Sequence, residues 1–541
     1  MRGNSPMKVA VAATAIALFA TGCQKTETPP ATSGGGILRI NVVEPNSLIA
    51  GTSNDNPSII IIKQLYAGLV EYDAKTSAPK NVVAQSIEST DNKVWTIKLK
   101  KGFKFSNGEE TNADSFINAW NWTAYGPNAA LNSEFLGSIE GWDDLQSEDP
   151  DKDGPLKAPD PKSKTMSGLK KLDDYSFQVT LAKAFVGFPA VVGYSGFYPM
   201  AKGCIDDVKA CKEKPITNGR YKMESSWKHN VEVKLLRNDD YPGEKAKNGG
   251  LYYKIYDKVD TAYADYEAGE LDVMEAVPPT KYKDAKSKFA DVLFEKPNNS
   301  FTYLGFPLYL PQFQNVQVRQ AISLAIDRQT IIDSIFDGRF SAAQGVVSPN
   351  FQGFRPNICD NCKYDPAKAK SLLDAAGGWK GGKLILWGNA GQQHEKWLQP
   401  LGDMLKKNLG IDYELKVDLQ FVEYQQATNG KKVTGAFRLG WGPDYPVLET
   451  YLFPLYGTKG SSNNPGYSNA QFDALVEQGN AAKSLEEGIK FYQQAEDIIV
   501  KDVPVAPLWF GKTTNVYSKN VVEYKYNPIS GSEFHEIALK G

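Results

Sequence analysis

The N-terminal segment constrains this chain more than any other feature, because it determines where the rest of the chain folds. Two basic residues, Arg2 and Lys8, precede twelve small or apolar residues from Val9 to Ala20. An apolar stretch of this length behind basic residues is typical of an export signal, whereas a membrane-spanning helix needs about 20 residues. We therefore expect residues 1–22 to be a cleaved signal and the remainder to fold outside the cytoplasm.

The end of this signal predicts a lipid anchor. Small residues from Ala20 to Gly22 precede Cys23, which is the arrangement of a bacterial lipoprotein cleavage site. Cleavage there leaves Cys23 as the acylated N-terminus, whereas cleavage without acylation would release a soluble exported protein. Residues 23–36 are rich in Thr, Pro, Ser and Gly and bury too little apolar surface to fold, so they predict a flexible tether. We expect a protein anchored at the outer face of the cytoplasmic membrane or in a periplasm.

The other four cysteines fit an oxidising compartment. They form two close pairs in sequence, Cys204 with Cys211 and Cys359 with Cys362. Four cysteines allow three pairings, and we favour the two local disulfides. The Cys-x-x-Cys spacing of the second pair also occurs in redox and zinc sites. Those sites need a strand-to-helix junction or a second ligand pair, and this pair follows a proline- and glycine-rich loop.

Composition excludes some classes of function. Lys and Arg number 61 against 63 Asp and Glu, so the chain is nearly neutral and lacks the basic footprint of a nucleic-acid-binding protein. Enzyme motifs are incomplete: His394-Glu395 lacks the second histidine of a zinc protease helix. Gly193–Phe197 is one residue short of a nucleophile elbow, and Gly377–Lys383 lacks the Ser or Thr that ends a phosphate loop. We expect no enzyme and no cofactor.

One acidic segment has the spacing of a calcium loop. Its candidate ligands are Asp149, Asp151, Asp153 and Asp160, with aspartate where the bidentate glutamate usually stands. Prolines inside and after the segment leave no flanking helices. An acidic solvated loop is the preferred interpretation, and calcium binding is the alternative.

Strand and helix patterns are mixed throughout the mature chain, which predicts an α/β fold of two or three domains. Residues Val94 to Lys100 alternate as in a half-buried strand, and Ala113 to Thr123 after the Asn-Gly turn predict a helix. An apolar stripe from Val318 to Ile335, closed by Gly338, predicts a second helix. Ser484 with Glu487 predicts the capped start of a third.

Several collinear motifs resemble the solute-binding proteins of the peptide/nickel class (family 5) that serve ABC importers. The resemblance extends from about Ile37 to Phe510. The matching segments are Tyr66–Val70, Ala84–Glu88, Trp95–Gly108, Leu172–Phe177, Asn218–Tyr221, Ala268–Asp272, Val318–Arg328 and Gly440–Tyr445.

The resemblance implies a two-lobed periplasmic-binding-protein fold of class II type, with an extra domain and a ligand cleft between the lobes. Lobe 1, or domain I, would comprise residues 37–54, 193–297 and 508–541. Domain II, residues 55–192, would pack on lobe 1, and residues 298–507 would form lobe 2, or domain III.

The resemblance also implies a ligand site in the Gly-Trp-x-x-Asp motif. Asp444 occupies the position that receives a ligand's ammonium in peptide-binding members, and Tyr445 completes the motif. The backbone at Gly440 would pair with an extended ligand, and Trp441 would cover ligand side chains. Arg438 matches an arginine that some members use toward a ligand carboxylate. Here Pro446-Val447 replaces the Asp-Pro that often follows the motif's tyrosine.

The expected function is therefore that of a monomeric, lipid-anchored binding protein that captures oligopeptides and delivers them to permease subunits driven by a cytoplasmic ATPase. The same fold binding an oligosaccharide, a nickel chelate or a signalling peptide is the alternative. A secreted hydrolase is the least favoured hypothesis, because its motifs are incomplete.

Overall fold

A computed structural model describes residues 35–147, 160–391 and 393–540 of the chain. The predicted signal, Cys23 and most of the tether lie outside the described residues, as do three of the four candidate calcium ligands: Asp149, Asp151 and Asp153. Within the described part, no helix is both long enough and apolar enough to cross a membrane.

Local sequence patterns account for many of the elements. The alternating pattern forms the strand Val94–Leu99, and its three apolar inward residues are buried. The helix after the Asn-Gly turn is Ala113–Ala124. It begins at Asn112, whose side chain accepts a hydrogen bond from the backbone N–H of Ser115 at 3.2 Å. Side-chain oxygens at this position satisfy backbone N–H groups that have no partner inside the helix.

The apolar stripe that predicts one helix up to Gly338 forms two helices, which corrects the sequence prediction. They are Val316–Leu324 and Arg328–Ile335. The break occurs because Asp327 caps the second helix, accepting from the backbone N–H of Thr330 at 3.1 Å. An aspartate at a helix start competes with continuation of the preceding helix.

One sheet of eleven strands runs through the described part of the chain. Ten strands follow one another in the order Tyr413–Lys416, Leu384–Trp387, Ala436–Trp441, Leu293–Gly305, Val505–Tyr517, Val273–Met274, Ile37–Val42, Gly250–Ile255, Glu232–Arg237 and Tyr221–Met223. The eleventh, Phe340–Ala342, pairs with Val505–Tyr517 outside this order.

Two strands of 13 residues each lie side by side in the middle of this sheet and join its two halves. We refer to Leu293–Gly305 as the first crossing strand and to Val505–Tyr517 as the second crossing strand. They pair antiparallel along almost their whole length, with an irregularity between Pro297 and Phe301. The predicted domain boundaries at residues 297/298 and 507/508 fall within these strands and remain predictions.

The other elements cover this sheet or extend it. A four-stranded sheet has the order Ala84–Glu88, Val94–Leu99, Ser176–Thr180 and Leu169–Asp173. The two short hairpins are Val70–Tyr72 with Pro79–Asn81 and Tyr526–Asn527 with Gly531–Ser532. The remaining helices of eight residues or more are Asn56–Leu65, Val259–Glu267, Pro366–Ala375, Glu395–Leu409, Phe421–Asn429, Ala470–Asn480 and Leu485–Asp502.

Two buried arginines donate to backbone carbonyls of the second half, and one of them, Arg328, reaches the second crossing strand. Arg319 donates to the carbonyl of Val503 at 3.0 Å and to that of Phe313 at 2.7 Å. Arg328 donates to the carbonyls of Pro507 at 2.6 Å and Ser323 at 3.0 Å. Carbonyls at helix ends and strand irregularities lack backbone partners, and these guanidinium groups supply the donors.

The structure contains both predicted disulfides. Cys204 is bonded to Cys211 and Cys359 to Cys362, with Cα separations of 5.4 and 5.3 Å. All four residues are buried. Both bridges close short loops, so each contributes roughly 2 kcal/mol or slightly more by restricting the unfolded chain.

Candidate functional site

The stretch that carries the predicted site begins on the strand Ala436–Trp441, which we call the site strand. One of its edges pairs antiparallel with the first crossing strand. On the other side, the parallel strand Leu384–Trp387 pairs only with Ala436 and Phe437. Within the described residues, the edge from Arg438 to Trp441 therefore has no strand partner.

The hydroxyl of Tyr424 shows which way the backbone of this open edge points. It donates to the carbonyl of Arg438 at 2.6 Å and lies 3.3 Å from the carbonyl of Trp387. The Arg438 carbonyl therefore points away from the first crossing strand. Because alternate residues of an antiparallel strand direct both N–H and C=O to the same side, the Gly440 groups also face the open edge. An extended ligand can pair with them as an added strand.

The guanidinium of Arg438 follows the site strand toward Gly440. One of its Nη atoms lies 3.6 Å from the point that a Cβ on Gly440 would occupy. Its Nε is buried and has no hydrogen-bond partner. Burial lowers the Arg438 pKa, and the groups whose charge opposes this are Tyr424 and Tyr303, not carboxylates. A buried cation without a counter-ion is costly to the protein alone, so this position favours an anionic ligand group.

Four further buried polar atoms have no hydrogen-bond partner among the described residues. The ring nitrogens His394 Nε2, Trp387 Nε1 and Trp441 Nε1 are buried without hydrogen bonds, as is Asn389 Oδ1. Burial, and then the charge of Arg438, lowers the pKa of His394 to about 4, so its ring is neutral at pH 7. Most buried polar atoms in folded proteins have partners, so a group of them marks a place where ligand atoms complete the hydrogen bonds.

Asp444 lies six residues further on and is also without a counter-ion. Burial raises its pKa to about 6, and the charge of Lys63 partly opposes this. No cation among the described residues lies within ion-pair distance of its carboxylate. Burial, and then the Asp444 charge, raises the pKa of Tyr194. The carboxylate therefore lies near residues of the first half of the chain.

The two aromatic residues of the motif occupy different surroundings. Trp441 is half-buried and packs against the core formed mainly by residues of the second half. Tyr445 packs between that core and the core of the first half, and its hydroxyl donates to Glu449 at 3.1 Å. Burial raises the pKa of Glu449 to about 7. Contact of either aromatic ring with a ligand remains a prediction.

Sequence reasoning missed four residues of this site: Lys63, Trp387, His394 and Tyr424. His394 attracted attention only as part of an incomplete zinc motif, and the others carry no local signature. The pairing of Trp387 with Phe437 spans 50 positions and that of Arg438 with Leu304 spans 134, so only the folded chain brings these groups together.

Within the described residues, no group of three His, Cys, Asp or Glu side chains is arranged to hold a metal ion. Of the candidate calcium ligands only Asp160 is described, and it is exposed.

The eleven-stranded sheet has two long paired strands in its middle, and charged side chains lie beside an open strand edge. This arrangement fits the class of extracytoplasmic solute-binding proteins. The family model "Bacterial extracellular solute-binding proteins, family 5 Middle" matches residues 78–463. The chain belongs to this family, and it is a binding protein, not an enzyme.

Individual relatives agree with this assignment. The chain is 27% identical over 511 residues to the oligopeptide-binding protein OppA of Bacillus subtilis, which covers 90% of each chain. It is 25% identical over 517 residues to the heme-binding protein A of Haemophilus influenzae, covering 92% of this chain and 90% of that protein. The solved structure of AppA from Bacillus subtilis in complex with a nonapeptide matches with a TM-score of 0.70 and 23% identity, over 94% of this chain and 99% of that one.

Proposed function

We propose that this protein is the peptide-binding component of an ABC importer and that it holds an extended oligopeptide along the open edge of the site strand. One observation carries the proposal: Arg438 and Asp444 are both half-buried and have no counter-ion in ion-pair distance among the described residues, on either side of the unpaired Gly440 edge. A peptide with free ends has a carboxylate, an ammonium and a row of backbone hydrogen-bonding groups between them. Such a peptide would therefore supply a partner for Arg438, a partner for Asp444 and a strand to pair with the Gly440 edge.

Each end of the peptide has a partner under this proposal. The ammonium binds Asp444 and the carboxylate binds Arg438, each through charge-assisted hydrogen bonds worth roughly 1.5–3 kcal/mol. The neutral His394 ring, whose pKa the Arg438 charge also lowers, adds a hydrogen-bonding group near this arginine. Backbone pairing at Gly440 gives affinity without dependence on ligand side chains.

The spacing of the two charges limits the length of the ligand. Residues 438–441 are extended and span about 10 Å, and three further residues add at most about 10 Å. An extended peptide advances about 3.3 Å per residue. We therefore propose ligands of roughly three to six residues when both ends are bound at once.

The test uses one peptide in three forms. Tetra-alanine with free ends, with an acetylated N-terminus and with an amidated C-terminus is titrated by calorimetry into the wild type and Arg438→Gln. We expect each blocked form to bind the wild type at least tenfold more weakly, about 1.4 kcal/mol. Arg438→Gln should lose the discrimination against the amide and keep that against the acetylated form.

Lys432→Gln, on the exposed loop before the site strand, is the matched charge control and should behave as the wild type. Equal affinity of the wild type for all three forms would show that neither end of the peptide is bound and would refute the proposal.

Peptide affinity should also depend on pH. Ionised Asp444 is the form that binds an ammonium, and its pKa in the free protein is about 6 against an ordinary value of 3.8. Affinity should therefore be highest near pH 7 and fall by up to tenfold per pH unit below about pH 6. It should also begin to fall near pH 8, because the α-amino group of the peptide loses its proton with a pKa of about 7.7–8.0. In the free protein the sign is opposite: ionising Asp444 costs stability as pH rises from about 3.8 to 6. Calorimetry between pH 4.5 and 8 checks this, and Asp444→Asn should flatten the profile; an unchanged slope in that variant contradicts it.

The membrane anchor is part of the proposal, and it concerns Cys23. A lipid on Cys23 and a tether up to residue 36 would hold the binding domains beside the permease subunits. We expect Cys23→Ala to move the protein from the membrane fraction into the periplasm or medium, measured by fractionation and immunoblotting. Ser33→Ala, a substitution in the predicted tether that leaves Cys23 in place, should leave the distribution unchanged. A Cys23→Ala protein that stays with the membrane would refute the anchor.

A further inference from the structure

A cavity lies beside the two crossing strands, and neither Arg438 nor Gly440 is part of its lining. Its volume is about 590 Å³, within the range of ligand pockets. The helix Asn56–Leu65, both crossing strands and the C-terminal hairpin supply its lining. We call it the crossing cavity.

Cations dominate the charge of this lining. Lys63, Arg339 and Lys512 all line the cavity. Each donates to a backbone carbonyl, at 3.4, 3.1 and 2.8 Å respectively. Among the described residues, none of the three has a carboxylate within ion-pair distance. The protein therefore does not neutralise these three positive charges through direct contacts.

The carboxylates nearby offset the cations only in part. Glu533 acts on Lys63 more strongly than Asp444 does, but burial raises the pKa of Glu533 to about 7, which weakens its negative charge. Glu275 is the acidic residue of the lining, and it accepts hydrogen bonds from Asn515 at 3.0 Å and Tyr524 at 3.1 Å. Burial raises its pKa, which weakens its negative charge. Asp337 acts on Arg339 but is paired with Lys283 at 2.9 Å. The cavity is therefore electropositive, and its low-dielectric walls strengthen that field.

We propose that the crossing cavity binds an anionic group, namely an acidic side chain of the peptide whose ammonium is held by Asp444. This inference rests on the proposed function. Lys63 links the two places, because it lines the cavity and its charge acts on Asp444. A peptide that starts at Asp444 thus has a carboxylate-binding cavity within reach of its side chains. Free phosphate has the same chemistry and is the competing source of the anion.

The experiment compares glutamate with glutamine, which has nearly the same shape and no charge. Penta-alanine peptides carrying Glu or Gln at each position in turn are titrated by calorimetry into the wild type, Lys512→Gln and Lys519→Gln. Lys519 is exposed two residues beyond the second crossing strand and is the matched charge control. Sodium phosphate alone is titrated into the same three proteins.

At one peptide position the wild type and Lys519→Gln should prefer Glu over Gln at least tenfold, and Lys512→Gln should reduce this preference to twofold or less. Absence of a preference at every position, or its survival in Lys512→Gln, overturns the inference. Phosphate binding that depends on Lys512, without any Glu preference, overturns it in favour of a free-anion site. Failure of the proposed function looks different, because unsubstituted penta-alanine would then not bind at all.

Discussion

Replacing Asp444 with asparagine should weaken binding of a free-ended peptide at least tenfold, about 1.4 kcal/mol. The carboxylate is half-buried, and no cation of the described residues lies within ion-pair distance. This burial raises its pKa to about 6, because it disfavours the charged form. An ammonium removes the cost of this burial, and asparagine cannot. Because the variant removes a buried charge that the free protein does not pair, its ligand-free melting temperature should be unchanged or higher. Calorimetric titration and thermal melting measure the two quantities.

The acetylated peptide distinguishes an ammonium site from a structural residue. Wild-type protein should discriminate against the N-acetylated form, and Asp444→Asn should lose most of this discrimination. Asp291→Asn, an exposed substitution remote from the site strand, removes one negative charge as a control and should keep it. If Asp444→Asn weakens the free and acetylated peptides equally, Asp444 supports the fold and does not contact the ammonium.

Replacing Arg328 with methionine should lower the melting temperature by roughly 6–20 °C. The guanidinium is fully buried and donates to Pro507, Ser323 and Ile326 carbonyls. Methionine fills a similar volume and donates nothing, so several buried carbonyls lose their partner, at about 1–3 kcal/mol each. A loss of 3–5 kcal/mol corresponds to roughly 6–20 °C if the predicted domain III, residues 298–507, unfolds as one unit. Differential scanning calorimetry measures it.

A surface cation provides the comparison for Arg328. Lys407→Met, on the exposed face of the helix Glu395–Leu409, should stay within about 0.5 kcal/mol of the wild type. The melting temperature of Arg328→Lys should lie between those of Arg328→Met and the wild type, because one ammonium cannot reach all the carbonyls that a guanidinium contacts. If Arg328→Met has the same melting temperature as the wild type, the buried hydrogen bonds do not hold the helix Arg328–Ile335 to the second crossing strand.

The local elements could be predicted from the sequence because their causes are local. Alternation predicts the strand at Val94, and the helical pattern after the Asn-Gly turn predicts the helix from Ala113. The single helix predicted up to Gly338 was wrong, because the apolar stripe continues across a break that the Asp327 cap introduces. Periodicity reports which face is buried and is insensitive to such a break.

The site could be predicted only in part, for a physical reason. A family resemblance gives the positions of Asp444 and Arg438, but their lack of counter-ions depends on what the rest of the chain brings near them. The open edge of the site strand exists because the strand Leu384–Trp387 ends at Trp387 and Tyr424 caps the gap. Lys63 reaches the neighbourhood of Asp444 across about 380 residues of sequence.

Similarity to relatives does not determine the ligand of this chain. An oligopeptide-binding protein and a heme-binding protein match it at 27% and 25% identity over nearly the same length. The chemistry of the site favours a peptide, because a half-buried anion and a half-buried cation lie on either side of an unpaired strand edge. A planar macrocycle or a neutral sugar would leave at least one of the two charges without a partner.

The most direct test of this account is mass spectrometry of the ligand that purified protein carries out of the cell. The protein is purified without denaturant, washed, and denatured in acid, and the released small molecules are identified, with Asp444→Asn purified in parallel. We predict peptides of roughly three to six residues with free amino and carboxyl ends, strongly depleted in the Asp444→Asn sample. A released sugar, metal chelate or tetrapyrrole, or peptides equally abundant in both samples, would contradict the account.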